Sequence, residues 1–427
     1  MRRRNLLVSL GAIALIAAVI GRNTLEQSVR ETVTRLAGQA AVSNMSSLLA
    51  ENNGRGLAAA ELITLPIYVT EVASGIFQAS GVGNSFALTT RDGNVIFDTG
   101  LIIQSSEQVA KLKAMIGDAE PKKIILSHSH ADHVGGTRLW DRGQAELIAH
   151  EEFEEEQRYL TELNPYFHQR NRVLFPWIPE SPRTLVGMNF RGLIPDTRVR
   201  NGDPYRFSLG GRRFEVYAVP GAEGDDNVVL WLPDEKILLS GDFFGPQFPQ
   251  FPNIFTMRGE KVRKPIEYIA SLNTLLALEP EIILPSHLAP IRGAQNIAAD
   301  MRKIRDAVQY VHDETVAGMN AGYSLETVMA EITLPEELTL SQSHGKVSWA
   351  VKSIWEYYAT WFHFDRTSEL YPTSQRAILA DVAHLIDLDA AQLQVQIYLN
   401  DAQPEKALLI LLAFLGVYQI LSVSLHL

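Results

Sequence analysis

The sequence predicts a layered α/β domain followed by an all-α region. Three observations predict it. From Ile67 onward, short β-type runs alternate with Gly and Asp-Gly turn signals. Between Ser105 and Leu284, strand-length apolar runs are interleaved with helical stretches. After Ala294 the strand signals nearly vanish, and helical periodicity takes over with Pro335 and Pro372 as punctuation.

Taken in order, Met1-Arg2-Arg3-Arg4 precedes the uncharged apolar stretch Leu6 to Ile20. A positive start followed by an apolar run of this length is an export signal. Residues 1–22 are therefore expected to be a signal peptide or a membrane anchor, and the protein to be exported, periplasmic or anchored facing the periplasm or exterior. Ala17-Ala18-Val19 is a poor cleavage site, which tilts the reading toward an anchor. Thr24 to Asn53 reads as a polar amphipathic helix, so 23–61 is assigned as a helical spacer.

The catalytic domain is expected over 62–293. Its strand signals are Ile67 to Val72, Ser85 to Thr90, Asn94 to Phe97, Lys123 to Leu126, Glu146 to Ala149, Arg212 to Val219, Val228 to Leu232, Lys236 to Leu239 and Glu281 to Leu284. Ser105 to Ile116 reads as a helix between them. Residues 294–390 form the helical region. The remainder, 391–427, ends in the uncharged apolar stretch Ala407 to Leu427. That stretch is either a second membrane helix or the last helix of a pair whose partner lies in another subunit. Gln419, Ser422, Ser424 and His426 interrupt its apolar surface and favour the second.

With 46% hydrophobic and 20% charged residues, the 427-residue chain is ordinary globular material, long enough for two or three cores. Its net charge of -11 argues against general nucleic-acid binding. There is no cysteine, so any metal must be held by His, Asp and Glu.

The run His128-Ser129-His130-Ala131-Asp132-His133 follows a buried strand and precedes Gly135-Gly136. Strand carboxyl ends are where α/β folds place ligands. His128 and His130 can share one metal, with Asp132 and His133 facing a second position past the bend. Two close metals can polarise a bridging water to hydroxide near neutral pH. With only 11 histidines in the chain, chance clustering in this spacing is poor.

These residues resemble the metallo-β-lactamase superfamily, whose hallmark is His-x-His-x-Asp-His after a strand. The resemblance extends to Asn84-Ser85-Phe86, Asp98-Thr99-Gly100, Ser240-Gly241-Asp242 and Pro285-Ser286-His287. It implies an αββα sandwich. Where most members carry Pro-Gly-His, this chain reads Pro220-Gly221-Ala222-Glu223, which looks like the alkylsulfatase branch. By resemblance, the first of two Zn2+ ions per subunit takes His128, His130 and Glu223. The second takes Asp132, His133 and His287, and Asp242 bridges both. Asp132 and Asp242 count as the catalytic residues, and the acid that would protonate the leaving alkoxide is unidentified. Asp225 and Asp226 compete for the role of Glu223, whose spacing from Pro220-Gly221 is the better match.

Asn253-Ile254-Phe255-Thr256-Met257-Arg258-Gly259 resembles a segment that the alkylsulfatases place beside their metals. It makes Arg258 and Asn253 candidate substrate ligands, Arg258 as a planar fork for sulfate oxygens. The other reading of Arg258 is a solvated member of the basic run with Lys261, Arg263 and Lys264. Arg305 to Val316, with Leu334-Pro335 and Trp361-Phe362, looks like the branch's helical dimerisation region, which implies a homodimer through the C-terminal helices. His150 and His312 read as structural, and His344 is left open. Ser348-Trp349 and His287-Leu288 depart from the branch on the leaving-group side.

The resemblance thus implies a dinuclear zinc hydrolase of alkyl sulfate esters, a small-molecule anionic substrate, and attack by a metal-bridging hydroxide. Two rivals stand beside it: a hydrolase of carboxylic esters, lactones or β-lactams on the same scaffold, and a non-catalytic membrane-tethered scaffold.

Overall fold

The computed structural model describes residues 66–141, 143–174, 192–255, 260–363, 367–373, 378, 381–382, 385 and 387–410. The expected signal or anchor at 1–22, the spacer at 23–61, Arg258 and the chain from 411 to 427 lie outside these residues.

Among the described residues, thirteen strands build two sheets. The first is seven-stranded, in the order β1 (Val69–Ala73), β2 (Ile76–Ala79), β3 (Ser85–Thr90), β4 (Gly93–Thr99), β5 (Lys123–Ile125), β6 (Glu146–His150) and β7 (Thr197–Val199). It is antiparallel from β1 to β4 and parallel from β4 to β7, where Ile96 faces Ile124 and Ile125 faces Ile148. The second, six-stranded sheet runs through β8 (Tyr205–Leu209), β9 (Arg212–Ala218), β10 (Val228–Leu232), β11 (Ile237–Gly241), β12 (Ile282–Pro285) and β13 (Ile291–Arg292). Within it only β11 and β12 pair in parallel.

Strand alternation explains the layers. Phe86, Leu88, Val95 and Phe97 of the first sheet meet Val228, Leu230, Leu239 and Leu284 of the second in one buried core. The alternate residues Ala87, Ile96 and Ile124 turn outward and are covered by Val109 and Leu112 of helix α1 (Ile102–Ile116) and by Val134 and Trp140. Those last two come from the short helices α2 (Ala131–Val134) and α3 (Thr137–Trp140). Helices α4 (Phe153–Glu162) and α5 (Asn164–Leu174) follow β6. On the far side, Val229, Trp231, Leu238 and Ile283 are also buried. There α6 (Pro265–Leu278) packs against α7 (Ala294–Asn320), which in turn touches β12 and β13. This is the expected αββα sandwich, continued by α-helices.

After α7 come α8 (Leu325–Glu331) and α9 (Val347–Ala359), then α10 (Leu388–Asn400). The described residues fall into two compact units, one ending at Tyr358 and one beginning at Ala359, so α7 groups with the sheets. His312 on α7 is held by Tyr358 Oη at 2.8 Å and by Asp313 at 2.8 Å, in keeping with the structural role read for it. No described helix is long and apolar enough to cross a membrane.

Candidate metal centre

Every predicted ligand follows the carboxyl end of a strand, at one edge of the sandwich. His128 and His130 follow β5, Glu223 follows β9, Asp242 follows β11 and His287 follows β12. Asp132 and His133 sit on α2, which is held against the turn between β4 and α1. There Gly135 donates to Gly100 O at 2.8 Å, and a Cβ on Gly135 would lie 2.3 Å from the Ile102 nitrogen. Only glycine permits that approach.

Asp98 organises the set from beneath. Its carboxylate accepts from Ser127 N at 2.7 Å, Ser127 Oγ at 2.8 Å, His133 Nδ1 at 2.8 Å and Ser286 Oγ at 2.6 Å. It is fully buried with φ of 53°, so it ties three ligand-bearing segments to the end of β4. The bond from His133 Nδ1 leaves Nε2 as a lone pair, the form a metal requires. His287 Nδ1 likewise faces Val82 O at 2.5 Å, which turns its Nε2 toward Asp242 Oδ2 at 2.9 Å.

The donor atoms converge in two neighbouring groups. On one side, Asp132, His133 and His287 offer ligand atoms within 4.8 Å of one another, and Asp242 lies 3.4 Å from His133 Nε2. On the other, His128 Nε2 and His130 Nδ1 are 2.8 Å apart, with Glu223 Oε2 3.9 Å from His130 Nδ1. His128, His133 and Asp242 form a third, overlapping group between them. All seven predicted ligands are therefore brought together.

The residues present fit divalent metal. His133 Nε2 and Asp242 Oδ1 are buried with no hydrogen-bond partner, a costly state that a cation would relieve. The protonation pattern says the same. Burial opposes a charged His287, yet Asp242 overrides it and raises the imidazole to about 9. Burial also opposes a charged His133, but Asp242, Asp132 and Asp98 together push it well above the usual imidazole value. Burial and the neighbouring His133 and His130 instead drive His128 well below it. A cluster of carboxylates this dense demands positive charge, and imidazole with carboxylate suits zinc and several other divalent ions alike.

Two residues, Glu260 and Arg263, went unassigned in the sequence. Glu260 Oε1 lies 3.4 Å from His130 Nε2, and Glu260 offers a ligand atom within 4.8 Å of those of His130 and Glu223. Arg263 is 4% exposed and grips Glu223 with both arms, Nη1 to Oε1 at 2.9 Å and Nη2 to Oε2 at 2.7 Å. It is not a solvated member of the basic run. Asp226 accepts from Ser129 N at 2.8 Å, and burial pushes its carboxyl up to about 7. Asp225 pairs with Lys264 at 3.3 Å. Neither aspartate is among the grouped ligand atoms, which leaves Glu223 as the acid of its loop.

Asn253 is near the cluster: its carbonyl accepts from Arg263 at 2.6 Å and its amide lies 3.5 Å from His344 Nε2. His344, left open by the sequence, reaches Glu223 Oε1 at 3.8 Å. His150 is fully buried on β6, bonded to Asn201 at 3.1 Å and to the Glu152 amide at 3.1 Å, away from the ligands.

The family model of the metallo-β-lactamase superfamily matches residues 80–287, from the loop after β2 to the last histidine of the cluster. Residues 80–287 are a metallo-β-lactamase superfamily domain. Over a longer stretch than that domain, the chain is 30% identical across 298 residues to a linear primary-alkylsulfatase from a Pseudomonas species, covering 64% of this chain and 55% of that one. It is 22% identical over 321 residues to an alkyl/aryl-sulfatase of Saccharomyces cerevisiae, covering 68% and 49%. The chain thus spans about half the length of the curated relatives it matches. Among solved structures, it superposes on a stereoselective inverting sec-alkylsulfatase from a Pseudomonas species with a TM-score of 0.67 at 18% identity. That match covers 81% of this chain and 58% of the other, and establishes a shared fold.

Proposed function

We propose that the protein is a metal-dependent sulfuric ester hydrolase that cleaves alkyl sulfates with two zinc ions per subunit. The observation that carries this is Glu223 standing among the histidines of the superfamily cluster, in a chain whose curated relatives are named alkylsulfatases. His128, His130 and Glu223 would hold one ion, Asp132, His133 and His287 the other, with Asp242 between them. When bound, the ions supply Lewis acidity to the sulfate ester and to the attacking water.

The chain's own residues do the rest. Asp98 and the Val82 carbonyl hold His133 and His287 in the tautomers that bind metal. Asp132 and Asp242 provide the negative charge that binds the ions. Asn253 stands beside the cluster, and Arg258 follows in the same segment as the proposed fork for sulfate oxygens. The substrate is a small anionic ester, drawn to local positive charge despite the overall charge of -11. Export through the N-terminal segment and pairing of two copies through the C-terminal helices complete the reading.

Dodecyl sulfate, a lactone and a cephalosporin offered to the same preparation test it. Turnover confined to the sulfate supports the proposal. Turnover of the lactone or the cephalosporin with the sulfate untouched would move the protein to the carboxylic-ester side of the superfamily.

A further inference from the structure

We propose that Glu260 is a positioning residue of the metal centre: its carboxylate holds the outer nitrogen of His130 and, through Arg263, the carboxylate of Glu223. This rests on the dinuclear reading above and gives a part to a residue outside its ligand set.

The two oxygens of Glu260 meet different neighbours. Oε1 lies 3.4 Å from His130 Nε2, and Oε2 lies 3.3 Å from Arg263 Nη2. His130 turns its other nitrogen, Nδ1, to His128 Nε2 at 2.8 Å and to Glu223 Oε2 at 3.9 Å. A metal shared by His128 and His130 is therefore reached through Nδ1. That leaves the proton of the neutral ring on Nε2, aimed at Glu260. Glu260 shares a group of ligand atoms with His130 and Glu223 but not with His128, which sets it on the outer side of the His130 ring. A ligand histidine whose free N–H meets a carboxylate is fixed in tautomer and orientation and becomes a better donor.

Arg263 closes the circuit. The Nη2 that reaches Glu260 also donates to Glu223 Oε2 at 2.7 Å, while Nη1 donates to Glu223 Oε1 at 2.9 Å and to Asn253 O at 2.6 Å. Glu260 thus touches one ligand directly and another through a single guanidinium. The side chains of Glu223 and Glu260 are 5% exposed and that of Arg263 is 4% exposed, so bulk water cannot stand in for any of them. Glu260 is fixed in turn by the next residue, since Lys261 donates to Glu156 on α4 at 2.8 Å and stands 4.5 Å over the Tyr159 ring. Asp98 does the same for the other position, where it holds His133 Nδ1 at 2.8 Å. Each position accordingly has a buried carboxylate on the outer nitrogen of one of its histidines.

Imidazole N–H spectra of the zinc-loaded full-length chain, made with isotope-labelled histidine, test this together with titration of the metal-free chain with zinc chloride. In the zinc-loaded protein one metal-bound histidine should carry its proton on Nε2, in the downfield signal of an N–H held by a carboxylate. His133 and His287 should carry theirs on Nδ1. Both neighbours of Glu260 are donors, so a glutamine, with one acceptor oxygen, can serve only one of them. Glu260→Gln should therefore shift the Nε2–H signal and leave those of His133 and His287 in place. It should also weaken zinc binding roughly 10- to 100-fold at one position, with two zinc ions still bound at saturation. The unaltered protein decides the point even if the variant does not fold: no metal-bound histidine protonated on Nε2 would overturn the proposal. So would unchanged signals and affinity in Glu260→Gln, or loss of one zinc at saturation, which would make Glu260 a ligand. A folded, unaltered chain that binds no zinc at all would overturn the dinuclear reading and this assignment with it.

Discussion

His133 Nδ1 donates to Asp98 Oδ2 at 2.8 Å, and neither residue has any exposed surface. The contact joins the end of β4 to α2, and it fixes which nitrogen of His133 faces Asp132 and Asp242. Asp98→Asn keeps the shape but removes the charge and presents a donor to groups that already donate. Metal affinity should fall roughly 10- to 100-fold. Zinc content after dialysis checks this; unchanged content would mean that the tautomer is set elsewhere.

Glu223 and Arg263 are a buried, bidentate ion pair. Removing one partner of such a pair strands the other charge, at about 3 kcal/mol or more where no partner remains. Glu260 still reaches Arg263 at 3.3 Å, so Glu223→Gln should cost about 2 kcal/mol in denaturant unfolding of the metal-free protein. A loss within experimental error would show that Glu260 takes over completely.

His150 makes stability pH-dependent away from the metals. Its Nδ1 accepts from the Glu152 amide while Nε2 faces Asn201, an arrangement only the neutral ring can satisfy, and burial holds its pKa below the ordinary imidazole value. The folded state therefore binds fewer protons than the unfolded state between the two values. Stability is fully present above the unfolded value, near 6.5, and is lost as pH falls toward the folded one, at up to about 1.4 kcal/mol per pH unit. His150→Gln should flatten that acid limb in unfolding measured from pH 7 to 5. An unchanged slope would remove His150 as its source.

Gly83 lies where the loop after β2 crosses α2. A Cβ there would stand 2.0 Å from Asp132 O, backbone that cannot yield cheaply. Gly83→Ala should push the loop off Asp132 and lower turnover on the order of 100-fold, since small misplacements of reacting groups are that costly. Turnover close to that of the unaltered protein would show that the loop relaxes without moving the ligand.

The site was legible in the sequence where its residues are contiguous. His128 to His133 announce a metal position by spacing alone, whereas Glu223, Asp242 and His287 were found only through resemblance, because the fold brings them in from three other strand ends. Arg263 could not be read: in a basic run with Lys261 and Lys264 nothing distinguishes a buried guanidinium from a solvated one. Glu260 is equally silent, since its partner His130 lies far away in sequence. Asp98 was seen as part of a family turn, but its four bonds are tertiary. In the fold, the long apolar strands were read closely. Strands β2, β7, β8 and β13 were missed because they are short or only partly buried, and α4 and α5 because their composition is polar.

The most direct measurement is sulfate release from dodecyl sulfate by the full-length chain, before chelation, after it, and after zinc is restored. We expect release that stops with the chelator and returns with zinc. A preparation verified to contain two zinc ions per chain that releases no sulfate would contradict the account.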